Sequence, residues 1–406
     1  MHIRPIISTL HRHRTTATLI ILEIALTCAI VCNAIFLIRD RLSRLDQQSG
    51  LNENELVRVQ VVSIDKSGNA MALTSQDLES LRAIPGVRYA ACTNMLPFSS
   101  SSWTSSARTD PGDRSTRFDA ATYMGSPDLL ETWGVELVAG RDFTPEEYVD
   151  FDAVKSGEAK VGSVIITRQA AEQLLPGRNP LGQRLYVFGR DPQIVVGVVD
   201  RLATSTEGRG MTNRSYAMVF PINIPSSIGG NYLLRVDPAR RSEVLAAVDS
   251  ALARVDHSRI VVSRQSFAEI RDDCFRQDRS LAYLLSGVSI ALLAVTAFGI
   301  VGLASFWVQQ RTRQIGVRRA LGATRGDIVR YFQLENFLLA TAGIVVGMAL
   351  AYAINLWLMH RYQIARLPAG FLPVGACLLW LLGQLAVLGP ALRAATISPA
   401  SATRSL

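Results

Sequence analysis

The chain has 406 residues, 49% of them hydrophobic and 19% charged, and a positive mean hydropathy. Its net charge is +8, yet the only lysines are Lys66, Lys155 and Lys160, so the excess is almost wholly arginine. The arginines cluster at the ends of apolar stretches and no aromatic-interleaved basic patch accompanies them, which argues against nucleic-acid binding and fits the charge bias that flanks membrane spans.

The first apolar run, Ala17 to Ile38, is preceded by Arg4, His11, Arg12, His13 and Arg14 and followed by Arg39, Asp40 and Arg41. It is longer than the apolar core of a cleaved signal and long enough to cross a bilayer. Three further runs of spanning length follow: Tyr283 to Trp307, Leu334 to Leu358 and Phe371 to Leu392. Between the second and third, residues 308–331 carry Arg311, Arg313, Arg318, Arg319, Arg325 and Arg330 against one acid, Asp327. That excess predicts a cytoplasmic loop. The expected layout is a cytoplasmic segment 1–16, spans at 17–38, 283–307, 334–358 and 371–392, a cytoplasmic loop at 308–333 and a cytoplasmic tail at 393–406. Residues 39–282 and the short segment 359–370 then lie outside.

Within the first span Glu23 is an ionisable group at membrane depth, which needs a partner or water. An interhelical contact and a tolerated polar cavity are both open readings. The third span offers Gly343, Gly347 and Ala351 at spacing four, and the second offers Gly287, Ala291, Gly299 and Gly302. Small residues permit close helix approach, either within one subunit or at a dimer face. Of the five cysteines, Cys28, Cys32 and Cys377 read as small membrane hydrophobes, while an oxidising outer compartment would permit a bridge between Cys92 and Cys274.

The outer region contains an internal echo. Leu56 to Ile64 alternates like a strand, Thr74 to Ile84 reads as a helix starting near Ser75, Gln76 and Asp77, and Val87 to Met95 reads as a strand. Later, Tyr232 to Val236 is strand-like, Pro238 to Val255 helical and Ile260 to Ser263 strand-like. The two units predict an α+β domain, a split ferredoxin-like porter part at about 50–97 and 231–270. A β-rich insertion occupies about 98–230, with its strongest strands at Val164 to Ile166 and Gln193 to Val199. The serine-rich run Ser99 to Ser106 reads as a mobile loop.

Signatures of catalysis are missing. No lysine follows glycine, which rules out a Walker A loop, and neither HExxH nor GxSxG occurs. The adjacent Asp272 and Asp273 point in alternate directions from one backbone segment and read as a solvated helix end.

The most informative stretch is Gln310 to Gly347, QRTRQIGVRRALGATRGDIVRYFQLENFLLATAGIVVG. It reads as a basic helix, a turn at Gly322 and Ala323, and a second helix entering the membrane. Thr324 with Asp327 three residues on predicts a capped start, and Ile328, Val329 and Phe332 an apolar face. A membrane-surface anchor would use the same basic residues. Arg311 to Ala323 closely resembles the signature region of the MacB/FtsX superfamily of ABC transporter permeases, which runs close to RTREIGIRRALGA. Val138 to Thr144 (VAGRDFT), Leu174 to Arg184 (LLPGRNPLGQR) and Pro390 to Pro399 (PALRAATISP) are similar to other segments of that family, although Ile397 to Leu406 lacks the acidic residue usual after the closing proline.

The resemblance implies a multi-pass protein of the bacterial inner membrane with both termini cytoplasmic. It implies a dimer, with itself or with a paralogue, and a partner ABC ATPase that binds ATP and Mg. No ATPase is read in this sequence, so no cofactor and no catalysis are expected on this chain. A periplasmic adaptor, an outer-membrane channel and membrane lipids are the further expected partners. The ATPase-docking coupling helix would comprise Ala323, Thr324, Arg325, Asp327, Ile328, Arg330 and Tyr331. Three functions are consistent with the resemblance: export of peptides, antibiotics or other amphiphiles by mechanotransmission, release of lipoproteins, and FtsX-like signalling to a cell-wall hydrolase. The large outer domain resembles the first arrangement most.

Overall fold

The computed structural model describes residues 14–63, 69–99, 101–112, 118–204, 216–228, 231–257, 259–362 and 367–396. The chain divides into two compact units, Asp46–Gln277 and the remainder, Met1–Leu45 with Asp278–Leu406.

The described chain opens on an apolar helix, α1 (Arg14–Leu45). Next come β1 (Leu56–Ser63), α2 (Ala70–Arg82) and β2 (Val87–Thr93). β1 forms because apolar residues alternate: Val57, Val59 and Val61 are buried, while Arg58 and Gln60 between them are only half-buried. α2 starts one turn earlier than its sequence suggests. The Asn69 side chain accepts hydrogen bonds from the Met71 and Ala72 amides and caps the helix. Asp77 is therefore not a starting residue but a buried one.

The insertion holds β3 (Thr104–Ala107), β4 (Phe118–Met124), α3 (Leu129–Trp133), β5 (Leu137–Gly140), β6 (Val149–Asp150) and α4 (Phe151–Ser156). It continues through β7 (Ser163–Thr167), α5 (Arg168–Leu174), β8 (Arg184–Leu185), β9 (Gln193–Val199), β10 (Ala217–Phe220) and β11 (Ile222–Asn223). Its main sheet runs β3-β4-β10-β7-β9-β5, with β8 on β9. The serine run is more ordered than its composition suggests. Ser99 is buried and bonded to the Leu96 carbonyl, and Thr104 to Ala107 pairs antiparallel with β4. The motif at Val138 to Thr144 shapes a turn: Arg141 clasps Glu147 through two hydrogen bonds of 2.7 and 3.0 Å, and Thr144 and Glu147 form a capping box.

That turn carries a testable pH dependence. Burial, aided by Glu131, Asp128 and Glu147, pushes the Asp142 carboxyl up to about 6, against the opposing hydrogen bond from the Phe143 amide. A carboxyl raised on folding contributes stability that is complete below its unfolded value and is lost as pH rises through about 6. Asp142→Asn should therefore match wild type at pH 4 and exceed it by about 1 kcal/mol at pH 8, a figure discounted for the solvent-facing part of the group. Denaturant midpoints at the two pH values check this. Glu147 works in the opposite sense: the Arg141 hydrogen bonds hold it down to about 2, so its contribution disappears only in strong acid.

The chain then returns through β12 (Asn231–Val236), α6 (Arg241–Val255) and β13 (Arg259–Ser266). These strands complete an antiparallel sheet in the order β13-β1-β12-β2, with α2 and α6 packed on one face over Val59, Leu78, Leu81, Tyr232, Leu234 and Val248. The sheet is the expected split ferredoxin-like arrangement. A polar cluster lies inside it. Arg259 meets Asp77 at 2.6 Å and donates to Ser226 Oγ at 3.2 Å, the Tyr232 hydroxyl donates to Asp77 at 2.5 Å, and the Ser226 amide donates to Thr74 at 2.8 Å. Cys92 is fully buried nearby, its thiol pushed up to about 12, and no disulfide joins it to Cys274, so the permitted bridge is not formed.

The remaining helices are α7 (Phe267–Gln310), α8 (Thr312–Ala320), α9 (Arg325–Tyr362) and α10 (Phe371–Ala395). Among the described residues, α1, α7, α9 and α10 are long and apolar enough to cross a membrane. All extend beyond the apolar runs that announced them. The glycine stripe of α9 is a packing surface against α1. A Cβ on Gly343 would sit 2.8 Å from the Ile24 Cβ, and one on Gly347 would sit 2.7 Å from the Ala25 carbonyl oxygen. Ala351 continues the stripe, fully buried, and its carbonyl accepts from Asn33 at 3.1 Å. Glu23 lies where α1 meets α7. A methyl group on Gly299 would collide with its carboxylate, and one turn away Thr27 and Thr296 share a 2.8 Å hydrogen bond.

Candidate functional site

The signature region folds as a helical hairpin whose arms are α8 and the start of α9. Gly322 has a φ of +100°, which lets the chain reverse there. Thr324 and Asp327 then cap α9 reciprocally. The Thr324 amide donates to Asp327 Oδ2 at 3.0 Å, and the Asp327 amide donates to Thr324 Oγ1 at 3.2 Å. No break separates this cap from the membrane span, because α9 is one helix from Arg325 to Tyr362. The expected short coupling helix is thus the first turns of a spanning helix.

The structure places the expected docking residues differently from one another. Thr324, Arg325, Asp327 and Arg330 are exposed and line one concavity of about 730 Å³, closed on its far side by Leu392, Ala395 and Thr396 of the α10 end. Ala323 is half-buried beside it. Ile328 is turned inward instead: it is 5% exposed and packs in the bundle core with Ile315 and Phe332. The apolar periodicity that suggested a docking face reports burial, so Ile328 is a packing residue. Tyr331 is half-buried, with the Arg318 guanidinium 4.7 Å over its ring.

Two exposed apolar residues were not anticipated: Leu321, 83% exposed at the hairpin tip, and Val317, exposed one turn before it. Their signal was available in the sequence, since both interrupt an otherwise charged face. The hairpin exposes these two aliphatic side chains together with Arg313, Arg318 and Arg325. Arg311 is the other surprise. It belongs by sequence to the flanking charges, but it is buried against Glu335.

The chain carries four helices of spanning length, with an α/β domain between the first and the second. Residues 286–399 match the family described as FtsX-like permease C-terminal, and residues 17–252, more than half of the chain, match the MacB-like periplasmic core domain. The chain belongs to the MacB/FtsX-type family of ABC transporter permeases. Among its curated relatives, the macrolide export ATP-binding/permease protein MacB of Shewanella sp. (strain W3-18-1) is 27% identical over 290 residues, covering 68% of this chain and 42% of the relative. The "Probable syringafactin export ATP-binding/permease protein SyfD" of Pseudomonas syringae pv. tomato is 26% identical over 299 residues, covering 71% and 42%. The chain thus spans about two fifths of the length of these relatives. Among solved structures, the periplasmic region of MacB from Actinobacillus actinomycetemcomitans is similar at 15% identity with a TM-score of 0.32, over 55% of this chain and 94% of that one.

Proposed function

We propose that the chain is the permease subunit of a MacB-like ABC transporter in the bacterial inner membrane, with both termini cytoplasmic. A separate ATPase subunit binds ATP and Mg and docks on the arginine-rich hairpin. Its nucleotide cycle moves the α/β domain on the periplasmic side, which drives export of peptides, antibiotics or other amphiphiles together with an adaptor and an outer-membrane channel. A second permease subunit, identical or paralogous, completes the assembly.

The observation that carries this reading is the hairpin's make-up: an exposed basic and aliphatic tip on a rigid capped helix that is also a spanning helix. Support comes from α7, a single helix from Phe267 to Gln310, which covalently joins the end of the α/β domain to the hairpin. The MacB-type core domain, with its inserted β-rich part, favours the exporter arrangement over the signalling one.

The test is co-purification with a co-expressed ABC ATPase from the same gene neighbourhood. Arg325→Glu with Arg330→Glu reverses two exposed charges and leaves the bundle core untouched. Recovery of the ATPase should fall at least tenfold while membrane insertion persists, since reversed charges at a complementary interface repel. Wild-type recovery by the double variant would end the docking assignment.

A further inference from the structure

We propose that Arg311 and Glu335 are positioning residues that pin the hairpin into a rigid lever, an inference that rests on the docking reading above. Arg311 stands at the corner between α7 and α8, the residue at which one helix gives way to the next. Its Nη1 donates to both carboxylate oxygens of Glu335 on α9, at 3.0 and 2.8 Å. Its guanidinium carbon lies 5.5 Å over the Trp307 ring. The Arg311 side chain is 8% exposed and that of Glu335 1%. A charge kept only to bias membrane topology would sit in water or among headgroups. This one is taken inside, where a charge is tolerated only with a partner.

The rest of the hairpin is closed by other means. Ile315, Ile328 and Phe332 share one apolar cluster in its middle. Arg318 lies on Tyr331 further out, and the Thr324–Asp327 cap closes the tip. At the base an ion pair ties the arms together. A small void of about 10 Å³, near the size of one water, lies among Ile20, Trp307, Glu335, Asn336 and Val387. Trp307 Nε1, Arg311 Nη2 and Asn336 Nδ2 have no hydrogen-bond partner at this place. Apolar packing by Ile20, Trp307 and Val387 surrounds the corner, and the buried ion pair adds a directed, charged tie between it and α9. The void is lined from α1, α7, α9 and α10, so all four spanning helices meet at the pin. A push on the hairpin tip reaches them as one displacement while the pin holds, and is absorbed as slack at the corner when it does not.

The experiment uses the full chain with its co-expressed ABC ATPase in lipid nanodiscs. It reads the difference in hydrogen exchange across residues 46–277 between ATP-vanadate and ADP. Glu335→Gln keeps the side-chain shape and removes the charge. It should leave ATPase co-purification at the wild-type level and cut the nucleotide-dependent exchange difference at least fivefold. The exchanged pair, Arg311→Glu with Glu335→Arg, should recover a third or more of that difference, which a general loss of stability would not allow. A full nucleotide response in Glu335→Gln overturns the pin and leaves the docking reading standing. A wild-type complex with no nucleotide response overturns the pin and the proposed coupling while docking stands, and loss of the complex in the Arg325→Glu, Arg330→Glu test bears on docking alone.

Discussion

Replacing Asp77 with alanine should lower the stability of the α/β unit by about 3–5 kcal/mol, the cost of stranding a buried cation without its partner. Arg259 would lose the carboxylate it meets at 2.6 Å. Its side chain is 3% exposed, Asp77 is fully buried, and Tyr232 already donates to the same carboxylate oxygen. The damage would not stay local. Through Ser226 and Thr74 the cluster joins β13, α2 and the segment that returns from the insertion, so it fastens the inserted part to the porter sheet. Arg259→Met should cost a similar amount. The double change Asp77→Leu with Arg259→Met should cost far less than either alone, because no buried charge then remains. Pulse proteolysis of the full chain in detergent, scored by cuts within 46–277, measures all three. Additive losses, or a loss below about 1 kcal/mol for Asp77→Ala, would contradict a coupled cluster.

How far the molecule could be read from its sequence depends on the range of the interactions involved. Apolar length finds α1, α7, α9 and α10, because a membrane imposes its thickness on each span separately. Alternation finds β1, because the pleat imposes a period of two, and short apolar runs find β9 and β12. The capping pair Thr324–Asp327 was legible for the same reason, since its partners are three residues apart. What escaped lies across long separations. Asp77 looks like a helix start until Arg259 and Tyr232 fold onto it. Arg311 looks like one more flanking charge until Glu335, 24 residues on, accepts it. Ile328 illustrates the converse. Its periodicity was read correctly as an apolar face, but sequence alone does not say whether such a face meets a partner or its own bundle. On the hairpin, Leu321 and Val317 are aliphatic residues that the fold leaves exposed.

The small residues of the membrane unit yield the second large expected effect, because the glycines in α7 and α9 are not equivalent. Gly347→Leu should destabilise the helical unit by about 3 kcal/mol and open the α1–α9 contact. A Cβ there would lie 2.5 Å from the Cys28 Cβ and 2.7 Å from the Ala25 carbonyl oxygen. Backbone cannot rotate aside as a side-chain tip can, so the two helices must separate. Separation would also stretch the Asn33 hydrogen bond to the Ala351 carbonyl, next along the stripe. Cys28 and Cys32, both fully buried on the α1 side, supply the readout. In detergent, N-ethylmaleimide should leave them untouched in the native chain and should reach them in Gly347→Leu. Gly287→Leu is the matched control, since nothing stands within 4 Å of a Cβ at that position. It should leave labelling and melting unchanged. Equal behaviour of the two variants would mean that the stripe on α9 does not set the distance between α1 and α9, and that close backbone contact is not what holds the spanning helices together.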